Sequence, residues 1–220
     1  MTPPSVTPRS AAPEPVRHTF PVRDSRRIYR GRVMALRADQ VEMPGGRVAT
    51  REIVEHPGAV AIAAVDEQDR LAVIEQYRHA VGRRLCELPA GLLDVEGEDP
   101  AKTAARELAE EAGLAATEWS VLVDLVASPG FTDEAVRVYL ASGLSEVPRP
   151  DLGDDEEADL RVGWLPLDEA VRQVLAGEIV NSTTVAGILA VYAVRTGAAR
   201  PRPLDAPWTD RPTAFASGAD

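Results

Sequence analysis

The chain predicts an α/β fold, with a mixed sheet between helical layers and a small N-terminal antiparallel β-subdomain. Three observations predict it. Strand-length apolar runs recur at Ala59–Val65, Leu71–Tyr77 and Val136–Leu140. Capped segments of helical periodicity lie among them, the clearest over residues 100–112. Near the N-terminus, Gly45-Gly46 sits between two strand-like runs, a strong hairpin signal.

The elements follow in order. Residues 1–20 are rich in Pro, Ser and Thr, which predicts a disordered lead, and they contain no apolar signal-peptide core. Residues 21–56 carry strand-like segments at Ile28–Leu36, Gln40–Met43 and Arg47–Glu55, the β-subdomain. The main domain spans 57–197. Its first two strands, Ala59–Val65 and Leu71–Tyr77, are joined by a polar turn at Asp66–Asp69. A short strand at Leu85–Leu88 leads into a loop at Gly91, and Cys86 within it reads as a small core residue. Beyond the helix at 100–112 come strands at Trp119–Ala127, Val136–Leu140 and Arg161–Leu165. Leu167–Leu175 is an amphipathic helix capped near Pro166–Asp168. Asn181 or Ser182 caps a last helix that runs to about Arg195, with Gly197 as its stop. Residues 198–220, rich in Pro and small side chains, predict a flexible tail.

With 220 residues the chain is one domain, or a domain with a small appendage, and can bury a real core. One cysteine excludes an internal disulfide framework. No run of ~18 apolar residues is present, so no membrane partner is expected and the location reads as cytoplasmic. A net charge of −11 is unsuited to nucleic-acid binding, which needs basic surface to displace counterions. The histidines, His18, His56 and His79, have no zinc-ligand spacing.

The segment Gly91–Leu114 carries chemistry. Asp99 is a good N-cap, Pro100 suits the first helical position and Gly113 suits the stop. Ala101, Ala104, Ala105, Leu108 and Ala112 form one apolar stripe. Glu111 then falls about 40° to one side of Glu107 and Glu110 about 60° to the other. Three carboxylates share one arc beside the buried stripe. Like charges at i,i+4 destabilise a helix by a few tenths of a kcal/mol. A cation between Glu107 and Glu111 removes that repulsion. Read without context, such a helix is a solvated face, and Arg106 and Glu110 form an ordinary i,i+4 ion pair.

The whole segment resembles the Nudix box, G-x5-E-x7-R-E-U-x-E-E-x-G-U, where U is bulky and apolar. Glu98, Arg106, Glu107, Leu108, Glu110, Glu111, Gly113 and Leu114 stand at the required spacing. The departure is six residues, not five, between Gly91 and Glu98, which leaves the path of that loop open. ELPAG at Glu87–Gly91, REIVEHPGAV at Arg51–Val60 and EQYRHAV at Glu75–Val81 are similar to bacterial ADP-ribose pyrophosphatases. Pro129, 16 residues after Gly113, stands where that subfamily carries a proline, although Pro129-Gly130 is also an ordinary turn.

The resemblance implies an α/β/α sandwich and hydrolysis of ADP-ribose to AMP and ribose 5-phosphate with Mg²⁺ or Mn²⁺. It implies Glu107, Glu111 and the backbone carbonyl of Ala90 as metal ligands. Glu110 reads as a secondary or water-mediated ligand. Arg106, grouped with Glu110 in the catalytic set, orients the loop and helix together with Glu98. In the acidic stretch Gly153–Val162, Glu156 aligns best with a catalytic glutamate that also reaches the metal, and Glu157 competes for that role. Arg51, Arg78, Glu87 and Phe131 are expected at the substrate, the last either stacking on adenine or packing locally. A homodimer with a swapped N-terminal subdomain follows from the same likeness. The alternatives are another nucleoside diphosphate derivative (a nucleotide sugar or diadenosine polyphosphate), a nucleoside triphosphate, or a non-catalytic ADP-ribose sensor.

Overall fold

The computed structural model describes residues 19–95, 97–149 and 160–215. The expected disordered lead, apart from Thr19 and Phe20, lies outside them. The N-terminal sheet is antiparallel in the order β1 (Val22–Arg30), β2 (Ala35–Glu42), β3 (Val48–Glu55). Gly45 and Gly46 take φ of 99° and 83°, which makes the expected hairpin between β2 and β3. The expected strand Ile28–Leu36 is instead two strands. The chain reverses after Arg30, where the Gly31 N–H donates to the Met34 carbonyl at 2.8 Å. Cross-strand polar pairs hold that register: Ser25 Oγ donates to Asp39 at 2.7 Å, and Arg27 and Arg37 both reach Glu55. Apolar periodicity does not register such pairs.

The main domain follows as β4 (Ala59–Ala64), β5 (Arg70–Arg78), a 3-10 turn (His79–Val81), β6 (Arg83–Glu87), β7 (Ala90–Leu92), α1 (Pro100–Ala112), β8 (Leu114–Val126), β9 (Ala135–Glu146), β10 (Arg161–Pro166), α2 (Leu167–Leu175) and α3 (Ser182–Arg195). A mixed sheet runs β7-β4-β9-β8, with β4 parallel to β9 and the outer pairs antiparallel. A second, antiparallel sheet runs β10-β5-β6. The chain crosses between them at the polar turn, where Asp66 Oδ1 accepts from the Gln68 and Arg70 N–H groups.

Strand β4 is buried on both faces, which is why it reads as an unbroken apolar run. Val60 and Ile62 pack with Tyr139, Val121 and the α1 residues Ala104 and Leu108. Ala61 and Ala63 pack with Val138 and, from α2 and α3, Leu167, Ala170, Ile188 and Val191. Helices therefore cover both faces of the mixed sheet. α3 approaches closely: a Cβ on Gly187 would stand 2.6 Å from Leu88 Cδ1. Its N-cap is Asn181, whose side chain accepts from the Thr184 N–H at 2.9 Å.

The ladder between β8 and β9 is longer than expected, because Leu114–Glu118 pairs with Ser142–Glu146. Those stretches are alanine-rich and polar, so pairing rather than intrinsic preference makes them strands. The tail expected to be flexible is docked through residue 215. Arg202 exchanges both main-chain hydrogen bonds with Val121, at 2.9 and 2.8 Å. Arg137, 4% exposed, donates to the Ala206 and Pro207 carbonyls, pairs with Asp124 at 2.8 Å and lies over the Trp208 ring. The segment lies on the α1 side of the sheet, where Ala206 joins the core. A proline-rich sequence lacks regular structure but still takes a fixed extended path when a buried charge captures its carbonyls.

Arg137→Ala is expected to destabilise the protein by about 3 kcal/mol, because Asp124 and two carbonyls lose a buried partner. Urea unfolding of both proteins measures this.

Candidate active site

Helix α1 begins and ends as its sequence requires. Asp99 Oδ1 accepts from the Ala101 N–H at 2.8 Å, and Gly113 takes φ of 66°. Its buried face, however, is not the alanine stripe alone. Thr103, Ala104, Glu107, Leu108 and Glu111 are buried, and Ala105 is exposed. The helix lies against β7, so the buried arc turns toward the glutamates. Burying carboxylates is costly unless they are paired or bonded.

Both have partners. Glu111, 5% exposed, accepts from the Ala90 N–H through Oε2 at 2.8 Å. Glu107, 8% exposed, lies against the Cα of Gly91, where a Cβ would overlap its carboxyl group. That glycine has no left-handed φ, so close approach rather than backbone freedom requires it. Arg106 Nη1 stands 2.9 Å from Glu107 Oε1 and 2.8 Å from Glu110 Oε2, while Nη2 reaches Glu98 at 3.3 Å. Burial disfavours the Arg106 charge, but Glu107, Glu98 and Glu110 outweigh it and hold the guanidinium pKa above its ordinary value. The Glu98 carboxyl lies below its ordinary range because Thr103 Oγ1 and Arg106 both bond to it.

Arg78 and Glu87 are brought together on neighbouring strands β5 and β6. The arginine grips the buried glutamate with two bonds of 3.0 and 2.6 Å. Arg51 stays within its own hairpin, bonded to the Thr50 carbonyl and the Met43 sulfur. Phe131 is 56% exposed on a loop tied to β3: Val54 N–H donates to the Phe131 carbonyl, and His56 N–H to Asp133 Oδ1. Pro129 lies in that same loop. Glu156 and Glu157 lie outside the described residues. Burial, with Glu75 and Glu87 near, pushes the Cys86 thiol up to about 11, which leaves it a poor nucleophile.

Sequence reasoning missed Thr103, which is fully buried and bonded to Glu98 at 2.9 Å. Its place one turn before Glu107 was the available signal.

Among the described residues no three Asp, Glu, His or Cys side chains stand as a ready-made ion cage. The Glu107 and Glu111 pair fits a hard divalent cation as part of a larger donor set. Two buried carboxylates sit one turn apart, and a glycine leaves room beside one of them.

The NUDIX domain profile matches residues 54–184, more than half of the chain. The chain belongs to the Nudix family. A further profile, the nucleoside diphosphate sugar hydrolase N-terminal domain, matches residues 21–54, the β1–β3 sheet. An ADP-ribose pyrophosphatase of Mycobacterium tuberculosis is 61% identical over 200 residues, covering 91% of this chain and 96% of that protein. One from Bacillus subtilis is 38% identical, covering 73% and 86%. The crystal structure of an ADP compounds hydrolase aligns with a TM-score of 0.70 at 22% identity. It covers 83% of this chain and 97% of that one, a likeness of fold. In this Nudix protein the box helix is therefore α1, and the box glycine Gly91 is the floor under Glu107.

Gly91→Ala is expected to lower turnover by about 100-fold, since ångström-scale displacement of a reacting group has that effect. Steady-state kinetics, with circular dichroism to show a retained fold, measures it.

Proposed function

We infer that this Nudix hydrolase cleaves the diphosphate of ADP-ribose to AMP and ribose 5-phosphate. One observation carries the reading. The acidic box helix is intact, with Glu107 and Glu111 tucked under β7, in a chain 61% identical to an ADP-ribose pyrophosphatase across nearly that protein's whole length.

The oxygen of a water bonds one phosphorus, the bond from that phosphorus to the bridging oxygen breaks, the other phosphate leaves with the bridging oxygen, and a proton of the water passes to the general base. We assign Glu107, Glu111 and the Ala90 carbonyl to hold Mg²⁺ or Mn²⁺, with Glu110 as a secondary ligand. A divalent ion there supplies charge neutralisation on the diphosphate and an acidified water. Arg106 keeps the helix carboxylates oriented. Glu156, or Glu157 in its place, is assigned as general base. Arg51, Arg78, Glu87 and Phe131 are assigned to the substrate. The Arg78–Glu87 clamp supports a shared role for that pair, and the tether of the Phe131 loop to β3 supports one for Phe131 and Arg51.

A homodimer through the N-terminal sheet belongs to the same reading. Val22, Ile28, Tyr29 and Val48 are exposed there, and the buried Nε and Nη1 of Arg27 have no hydrogen-bond partner among the described residues. No described helix is long and apolar enough to cross a membrane, and a cytoplasmic location is proposed with the substrate. A nucleotide sugar is the second reading, favoured by the family matched over residues 21–54.

A panel of ADP-ribose, nucleotide sugars, diadenosine polyphosphates and nucleoside triphosphates, assayed with Mg²⁺ and with Mn²⁺, is expected to rank ADP-ribose first by kcat/KM. Higher kcat/KM on a nucleotide sugar overturns the assignment. Glu107→Gln and Glu111→Gln are each expected to lower kcat by about 100-fold or more. Either Glu156→Gln or Glu157→Gln should cut turnover far more than substrate binding. The general-base assignment fails when both retain wild-type turnover.

A further inference from the structure

Thr103 is the one fully buried hydroxyl on α1, and its acceptors are specific. Oγ1 lies 2.9 Å from Glu98 Oε2 and 3.4 Å from the Asp99 carbonyl. A buried hydroxyl must be satisfied, so the shorter contact commits it to Glu98. The same Oε2 accepts from Arg106 Nη2 at 3.3 Å. Thr103 and Arg106, three residues apart, face the same side of the helix and grip one oxygen between them.

The other arm of Arg106 is engaged with Glu107 and Glu110. A guanidinium is a rigid planar fork, so fixing one arm fixes the other. Glu98 precedes the helix, and on the loop side its N–H donates to the Val95 carbonyl at 3.2 Å. Glu98 needs an anchor within the helix to hold that fork, and Thr103 is that anchor.

We propose that Thr103 is a positioning residue whose buried hydroxyl fixes Glu98, and through Glu98 the Arg106 fork, so that Arg106 meets Glu107 through Nη1 at Oε1 in the orientation that suits a cation and does not turn both arms onto that carboxylate. This rests on the reading of Glu107 as an ion-holding group. Without the hydroxyl, Glu98 loses its shorter side-chain contact and Arg106 is able to swing both arms toward Glu107 and Glu110. That motion sets arginine in direct competition with the divalent ion. The substrate-facing groups are untouched by it.

The test compares Thr103→Val, which keeps the shape, and Thr103→Ser, which keeps the hydroxyl. Mn²⁺ binding to the nucleotide-free protein is measured by calorimetry, and kcat and KM for ADP-ribose by steady-state assay. Thr103→Val is expected to weaken Mn²⁺ binding and lower kcat by about 10-fold each, with KM within about 2-fold of wild type. Thr103→Ser should stay within about 2-fold in all three. Glu98→Gln should weaken Mn²⁺ binding similarly, and the Thr103→Val/Glu98→Gln double variant no further, because the two act through one bond. Wild-type Mn²⁺ affinity in Thr103→Val, or additive losses in the double variant, overturns the proposal. Should Thr103→Val fail to fold, Thr103→Ala takes its place in the same cycle. A wild-type protein that binds no Mn²⁺ overturns instead the metal reading beneath it.

Discussion

The contact between α1 and β7 governs the rest of the site. Two glutamates one turn apart are pressed against a strand of three residues, one on the Ala90 N–H and one over the bare Cα of Gly91. Carboxylates leave water only when something on the protein or a bound ion replaces the lost hydration. Here a main-chain N–H and an arginine supply part of that replacement. The donor set left by Glu107 and Glu111 is hard, anionic and close-spaced, the kind that suits a small divalent ion.

Holding that contact requires support from several directions. The mixed sheet places β7 beside β4, and β4 is buried on both faces, so the strand under α1 is attached directly to the core. Leu108 and Ala104 anchor the helix over Val60 and Ile62. Small residues at 101, 104 and 112 keep the helix near the sheet. On the same side of the sheet, the C-terminal segment closes over Arg137 and brings Pro212 against Gly58, next to Leu93 of the box loop. The residues after 184 lie beyond the matched Nudix profile, yet they complete one wall of the core.

A second theme is charge held in place by charge. With a net −11, the protein sets arginines on acids in and beside the core: Arg78 on Glu87, Arg106 on the box, Arg137 on Asp124, Arg27 and Arg37 on Glu55. Most of these arginines are spent on structure. Electrostatic attraction of an anionic substrate into an acidic site thus falls to bound cations and to basic groups outside these pairs.

Much of this is legible in the sequence. The caps Asp99, Asn181 and Gly113, the stop at Gly197 and the helix Leu167–Leu175 are local signals, set by φ preferences and one-turn hydrogen bonds, and the structure has them where expected. So is the spacing that puts Glu107 and Glu111 on one arc. Three features are not. The break in Ile28–Leu36 depends on cross-strand polar pairs; the docking of residues 198–215 depends on Arg137, about seventy residues from the carbonyls it binds; and the inward turn of α1, which exposes Ala105 and buries Thr103, depends on β7. Each is a contact between segments distant along the chain. Short-range chemistry is written in neighbouring residues, whereas which face of a helix turns inward is chosen by the surface it meets, and that surface exists only once the chain has folded.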